Sequence, residues 1–185
     1  EDLKRGGCEI FSDYEAMLAA HAGRIDLCLV PTGIHWHARM TIAALEAGAN
    51  VLVEKPLSGV MSEVAAVQAA ERAANRFVAV GFQDYYEPGT AWLKQPLLDG
   101  AIGPLKTIRF LGMWPRPRSY FKRNGWAGKL RLGEQAVFDS PLSNAFAHFA
   151  MLSLYFAGRT LHGVTPTELI DGELFRANDI ETFDT

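Results

Sequence analysis

The chain is poor in cysteine, with Cys8 and Cys28 the two it has among 185 residues. Two thiols cannot supply the framework that staples small secreted folds, and Cys28 sits inside the apolar run Ile25 to Val30, where a buried reduced thiol is expected. No stretch of about 18 apolar residues occurs, and Glu1-Asp2-Leu3-Lys4-Arg5 lacks the apolar centre of a secretion signal. Charge of one sign is also scarce: 18 Lys plus Arg against 21 Asp plus Glu leave a net −3, without a long like-charge run. That balance offers no basic field to nucleic acid. These absences predict a cytoplasmic protein with neither nucleic acid nor membrane as partner. What is present is 49% hydrophobic and 21% charged residues, enough for a core of one large domain or two small ones.

Helical and strand patterns alternate through the first half. Ser12-Asp13-Tyr14-Glu15 has the form of a capping box and predicts a helix over about 13–22. Ile25 to Val30 reads as a buried strand, Ile34 to Ala47 as a helix closed by Gly48, and Asn50 to Glu54 as a strand. Ser62 to Asn75 then reads as an alanine-rich helix and Phe77 to Phe82 as a strand. Such alternation implies a parallel sheet, with helices over both faces and strands without polar alternation. From Asp84 the pattern changes, which places a boundary near residues 83–87 and divides the chain into 1–84 and 85–185. Pro88 to Asp99 reads as a helix interrupted near Pro96, Lys106 to Trp114 as a long alternating strand, Pro141 to Ala157 as a helix ended by Gly158, and Thr165 to Arg176 as a strand. The fold class expected is α/β: an incomplete Rossmann-like parallel sheet, followed by part of an α+β domain with a mostly antiparallel sheet. A dinucleotide domain opens with a strand, a glycine-rich turn and a helix, and nothing before Ser12 reads as that unit, so the sequence is expected to be a fragment.

Several residues could carry chemistry. Lys55 follows the apolar run Val51-Leu52-Val53, and a cation at the carboxyl end of a buried strand stands where open α/β sheets hold their ligands. Asn144 and His148, four apart on the predicted helix, would project from one face and act on one ligand. Lys55 and His148 would then serve a single cleft. His35 and His37 are two apart, but in a helix positions two apart diverge by about 200°, so they are not expected to share a metal ion. The segment Trp114-Pro115-Arg116-Pro117-Arg118 to Gly128, rich in aromatic and basic side chains, reads as an ordered loop able to bind an anionic or sugar-like ligand by charge and stacking. Trp114, Arg116 and Trp126 are its candidate substrate contacts.

Val30-Pro31-Thr32-Gly33-Ile34-His35-Trp36-His37, then Ala43-Ala44-Leu45-Glu46-Ala47-Gly48, Val51-Leu52-Val53-Glu54-Lys55-Pro56 and Gly81-Phe82-Gln83 together resemble the Gfo/Idh/MocA family of nicotinamide-dependent oxidoreductases. The similarity covers most of residues 10–104 and weakens beyond. It implies NAD or NADP as cofactor, with Pro31, Thr32, His37, Glu54, Lys55 and Gln83 on the cofactor side. It also implies hydride transfer between the nicotinamide and a CH–OH carbon of a sugar, polyol or related small molecule. Homo-oligomers through the second-domain sheet are a further implication. Counting back from Gly158, His148 falls on the family's catalytic histidine and Asn144 on the aspartate of its D-x-x-x-H motif. Asparagine can position a hydroxyl but can neither carry charge nor take a proton. The catalytic set expected from the resemblance is therefore Lys55, His148 and Asn144. Two other readings compete: a lyase or aldolase using Lys55 as a Schiff-base nucleophile, and a non-catalytic relative that binds a small ligand.

Overall fold

A computed structural model describes residues 6–173, and the chain divides into two compact units, Glu1–Val80 and Gly81–Thr185. In the first unit, Asp13 Oδ1 accepts the Ala16 amide at 2.7 Å and caps helix α1, Tyr14–Ala20. Ser12 was the expected cap; a carboxylate also complements the positive end of the helix, which a hydroxyl does not. Glu15, freed from any capping box, bonds the Arg39 guanidinium at 2.5 Å instead.

Strand β1 (Leu27–Val30), helix α2 (Ile34–Glu46), strand β2 (Asn50–Val53), helix α3 (Met61–Ala74) and strand β3 (Val78–Val80) follow in turn. Gly48, at φ +88°, takes the left-handed conformation that ends α2, and Asn75, at φ 51°, does the same after α3. The strands pair in parallel in the order β1-β2-β3, with Leu27 opposite Asn50 and Val51 opposite Val78. Leu18 of α1, Ala44 and Leu45 of α2, and Cys28, Val30, Val51 and Val53 of the strands form one buried cluster.

Contrary to expectation, helices do not cover both faces of the sheet among the described residues. Burial alternates along β1 and β2, and Leu27 (48% exposed), Leu29 (60%) and Leu52 (39%) lie open on the other face. The strand order supplies the reason. Crossovers of one hand between strands laid down in a single direction put their helices on the same side, and covering the second face requires the order to reverse.

The second unit contains α4 (Gln83–Tyr86), α5 (Pro88–Leu98), α6 (Arg118–Phe121), a two-stranded antiparallel hairpin of β4 (Arg131–Leu132) and β5 (Gln135–Ala136), and α7 (Ala147–Ala157). Helix α5 runs through Pro96 without the expected break. The proline forfeits one amide, and the ladder resumes with Asp99 N donating to Gln95 O at 2.9 Å. Lys106 to Trp114 forms no strand, because it finds no ladder partner among the described residues. Thr165 to Arg176 forms none over its described part either, and residues 174–176 lie outside the described residues.

Helix α7 begins six residues later than the pattern suggests. Over 141–146 the Ser140 and Ser143 hydroxyls bond each other's backbone amides at 3.1 Å, and Phe146 N reaches back to Pro141 O at 2.8 Å. Serine side chains compete here with the helical ladder and win, so the segment is a series of turns. No helix among the described residues is long and apolar enough to cross a membrane.

Candidate active site

The carboxyl edge of the parallel sheet carries the residues expected of a cofactor site in the first unit. Pro31 and Thr32 follow β1 and are exposed; Glu54 and Lys55 follow β2, the carboxylate exposed and the lysine half-buried. Glu54 Oε2 accepts the Lys55 amide at 3.3 Å. Thr32 also lines a hollow of about 320 Å³ together with Tyr14, Trp36 and Arg39. A hydroxyl, a carboxylate and an ammonium on one sheet edge suit the ribose and carboxamide end of a nicotinamide nucleotide.

His37 takes a different place from the one expected. It is 1% exposed, with Nδ1 2.7 Å from the Pro56 carbonyl oxygen and Nε2 3.0 Å from that of Thr32. The ring thus ties the chain leaving β1 to the chain leaving β2, beside Lys55. It positions the candidate cofactor residues and does not present itself to a ligand. Its neighbour His35 has its pKa lowered, first by burial and then by the positive field of His37. His35 and His37 lie in α2 as expected, and no group of three metal-ligating side chains gathers among the described residues.

In the second unit, Gln83 opens α4 and is exposed, and Asp84 follows it. His148, in the first turn of α7, places Nδ1 3.9 Å from Asp84 Oδ2 and meets the Phe82 ring edge-on at 5.9 Å. Asp84 was not among the candidates; its one signal in the sequence is a carboxylate next to Gln83 at the start of a helix. Asn144 does not share a helix with His148 as its spacing suggested, since it lies in the turns before α7. Its Nδ2 donates to Asp139 Oδ1 at 2.6 Å. Asp139 is 5% exposed, and its Oδ2 accepts the Gly128 amide at 2.6 Å. The chain turns into this contact through Phe138, at φ 51°, a conformation few side-chain residues adopt.

Of the candidate substrate contacts, Trp114 and Arg116 line a hollow of about 260 Å³ with Tyr120, Phe146 and Asn144. Trp126 is not in that wall: it packs under the Arg123 guanidinium at 5.3 Å, which also stacks on Tyr120 at 3.6 Å.

Residues 3–82 match the model of an oxidoreductase family with an NAD-binding Rossmann fold. Inositol 2-dehydrogenase 4 of Saccharopolyspora erythraea is 35% identical over 98 residues, which are 52% of this chain and 28% of that protein. Levoglucosan dehydrogenase of Pseudarthrobacter phenanthrenivorans is 33% identical over 114 residues, 58% of this chain and 29% of that protein. The matched region spans less than a third of the length of these relatives. Among solved structures, the WlbA dehydrogenase of Bordetella pertussis, in complex with NADH and UDP-GlcNAcA, has a TM-score of 0.69 at 22% identity, covering 85% of this chain and 43% of that one. At that identity the likeness is one of fold: mixed α/β, Rossmann-like, with a parallel sheet of three strands and a small antiparallel sheet.

Proposed function

We propose, from the match of residues 3–82 to the model of the Gfo/Idh/MocA oxidoreductase family, that the protein is an NAD- or NADP-dependent oxidoreductase acting on a CH–OH group of a sugar or polyol. The observation that carries this reading is Lys55, half-buried at the carboxyl edge of the parallel sheet, in the segment that matches the family and beside loops fastened by a buried imidazole. The oxidised nicotinamide, when bound, supplies the acceptor for the hydride. Pro31, Thr32 and Glu54 line its side of the sheet edge, and Gln83 completes the cofactor contacts. Lys55 donates a hydrogen bond to the substrate oxygen and stabilises the negative charge that grows there as the O–H proton leaves.

His148 receives that proton. Asp84, 3.9 Å from its Nδ1, holds the imidazolium that forms, a service for which the amide of Asn144 lacks the charge. Asn144 has its Nδ2 committed to Asp139, so it meets a substrate hydroxyl through its carbonyl oxygen, as an acceptor. Trp114 and Arg116 contact the rest of the substrate. The division into a cofactor-binding first unit and a substrate-binding second unit, with oligomerisation through the latter, belongs to the same reading.

The test is nicotinamide absorbance during turnover of the full-length protein with a panel of polyols and monosaccharides. Lys55→Ala and His148→Ala should each lower kcat by about a hundredfold or more. Asp84→Asn should lower kcat with little change in KM and should shift the acid limb of the pH profile. Absence of nicotinamide reduction across the panel, or full activity in the lysine and histidine variants, refutes the reading.

A further inference from the structure

The hollow in the second unit carries an uncompensated cation. Arg116 is clamped between aromatic faces, its guanidinium carbon 4.6 Å from the Trp114 ring centre and 4.7 Å from that of Tyr120. Stacking of this kind fixes the plane of the guanidinium and leaves its edges for hydrogen bonds. One edge is loosely used: Nη1 donates to the Pro115 carbonyl at 3.4 Å. Nε is buried and has no hydrogen-bond partner among the described residues. Buried donors are nearly always satisfied, and this guanidinium has one that the described residues leave without an acceptor.

The acid in the same wall does not supply it. Asp139 also lines the hollow, but its oxygens accept the Gly128 amide and the Asn144 side chain at 2.6 Å, and Arg123 stands 3.8 Å from Oδ2. Arg123 therefore answers Asp139, and Arg116 is left with no carboxylate among the described residues. The rest of the wall suits a small polar ring. Trp114 and Phe146 offer aromatic faces, while Ser140 and Asn144 add hydrogen-bonding groups. The volume, about 260 Å³, lies just under the roughly 300–1,000 Å³ of pockets that hold drug-sized ligands. That is room for one monosaccharide ring.

We propose that this hollow selects a monosaccharide bearing a carboxylate, held by the guanidinium of Arg116. A planar carboxylate matches the two parallel N–H groups of one guanidinium edge, whereas a phosphate dianion would call on more cationic donors than this wall supplies. The proposal rests on the second unit being the substrate-binding part, and it names the class of substrate. It does not require that the chain turn anything over.

The experiment is titration calorimetry of the full chain without cofactor, against D-glucuronate, D-glucose and D-glucose 6-phosphate, repeated on Arg116→Gln. D-glucuronate should bind at least tenfold more tightly than D-glucose, and Arg116→Gln should bring the two affinities within about twofold of each other. Equal affinities for glucuronate and glucose in the parent protein overturn the proposal, whatever the variant does. Preference for glucose 6-phosphate overturns the carboxylate in favour of a phosphate. Because binding is read without a nicotinamide, a protein that reduces no cofactor yet discriminates glucuronate loses the dehydrogenase reading and keeps this one.

Discussion

Replacing His37 by phenylalanine isolates what its contact with two backbone carbonyls contributes. The ring is 1% exposed and spans the Pro56 and Thr32 carbonyls at 2.7 and 3.0 Å. Phenylalanine nearly preserves the volume, so the cavity contribution is small and the loss is one of polar pairing. The Pro56 carbonyl belongs to a half-buried residue, and leaving it without a donor costs about 1–3 kcal/mol. Thr32 is exposed, so water can replace much of the second bond and its loss falls nearer the about 0.5–1.5 kcal/mol of an ordinary hydrogen bond. A neutral imidazole carries one N–H and donates to only one of these carbonyls, so the loss is about 1–3 kcal/mol, which corresponds to a fall of roughly 2–12 °C in Tm for a chain of this size. Thermal and urea unfolding of His37→Phe would read it, and turnover in the nicotinamide assay should fall as well, since Lys55 adjoins the released carbonyl. A variant as stable as its parent would show that the imidazole fills space and ties nothing.

Gly158→Ala probes a close backbone approach: an added Cβ would stand 2.2 Å from the Gly163 carbonyl oxygen, which also accepts the Lys94 ammonium at 2.6 Å. Two backbone segments must part, so a loss of about 1–3 kcal/mol is expected, and an unchanged Tm would refute the contact. His35 gives the pH test. Its folded pKa is depressed below the ordinary 6.5, so on acidification the unfolded chain takes the proton first, and stability present above pH 6.5 drains away as pH falls through the folded value. The urea midpoint of the parent should fall more between pH 7 and pH 5 than that of His35→Gln; parallel falls would refute the assignment.

The order of helices and strands in the first unit was legible because it is written in local periodicity. The apolar runs at 27–30 and 50–53, the glycine at 48 and the alanine-rich stretch before Asn75 each act within a turn or two of chain. The same reasoning failed for Lys106 to Trp114 and for Pro141 to Phe146. An alternating segment becomes a strand only when another strand bonds it, and a helical pattern yields when serine side chains satisfy the backbone first. Asn144 illustrates the second case: its spacing from His148 holds in the sequence, yet the intervening turns remove it from the helix.

Residue types and their local spacing, by themselves, decided that a lysine ends the second parallel strand, that α2 stops at a glycine, and that an aromatic and basic loop accompanies Asn144 and His148. Tertiary structure alone decided that among the described residues one face of the sheet is open, that the His37 ring faces two backbone carbonyls, that Asp84 stands by His148, and that Arg116 lines a hollow with no carboxylate partner among the described residues. The physical reason is range. Helix and strand preferences are settled among neighbours in the chain, whereas hydrogen bonds and charge pairs between residues 19 or 64 positions apart exist only once the chain has folded and excluded the water that competes for them.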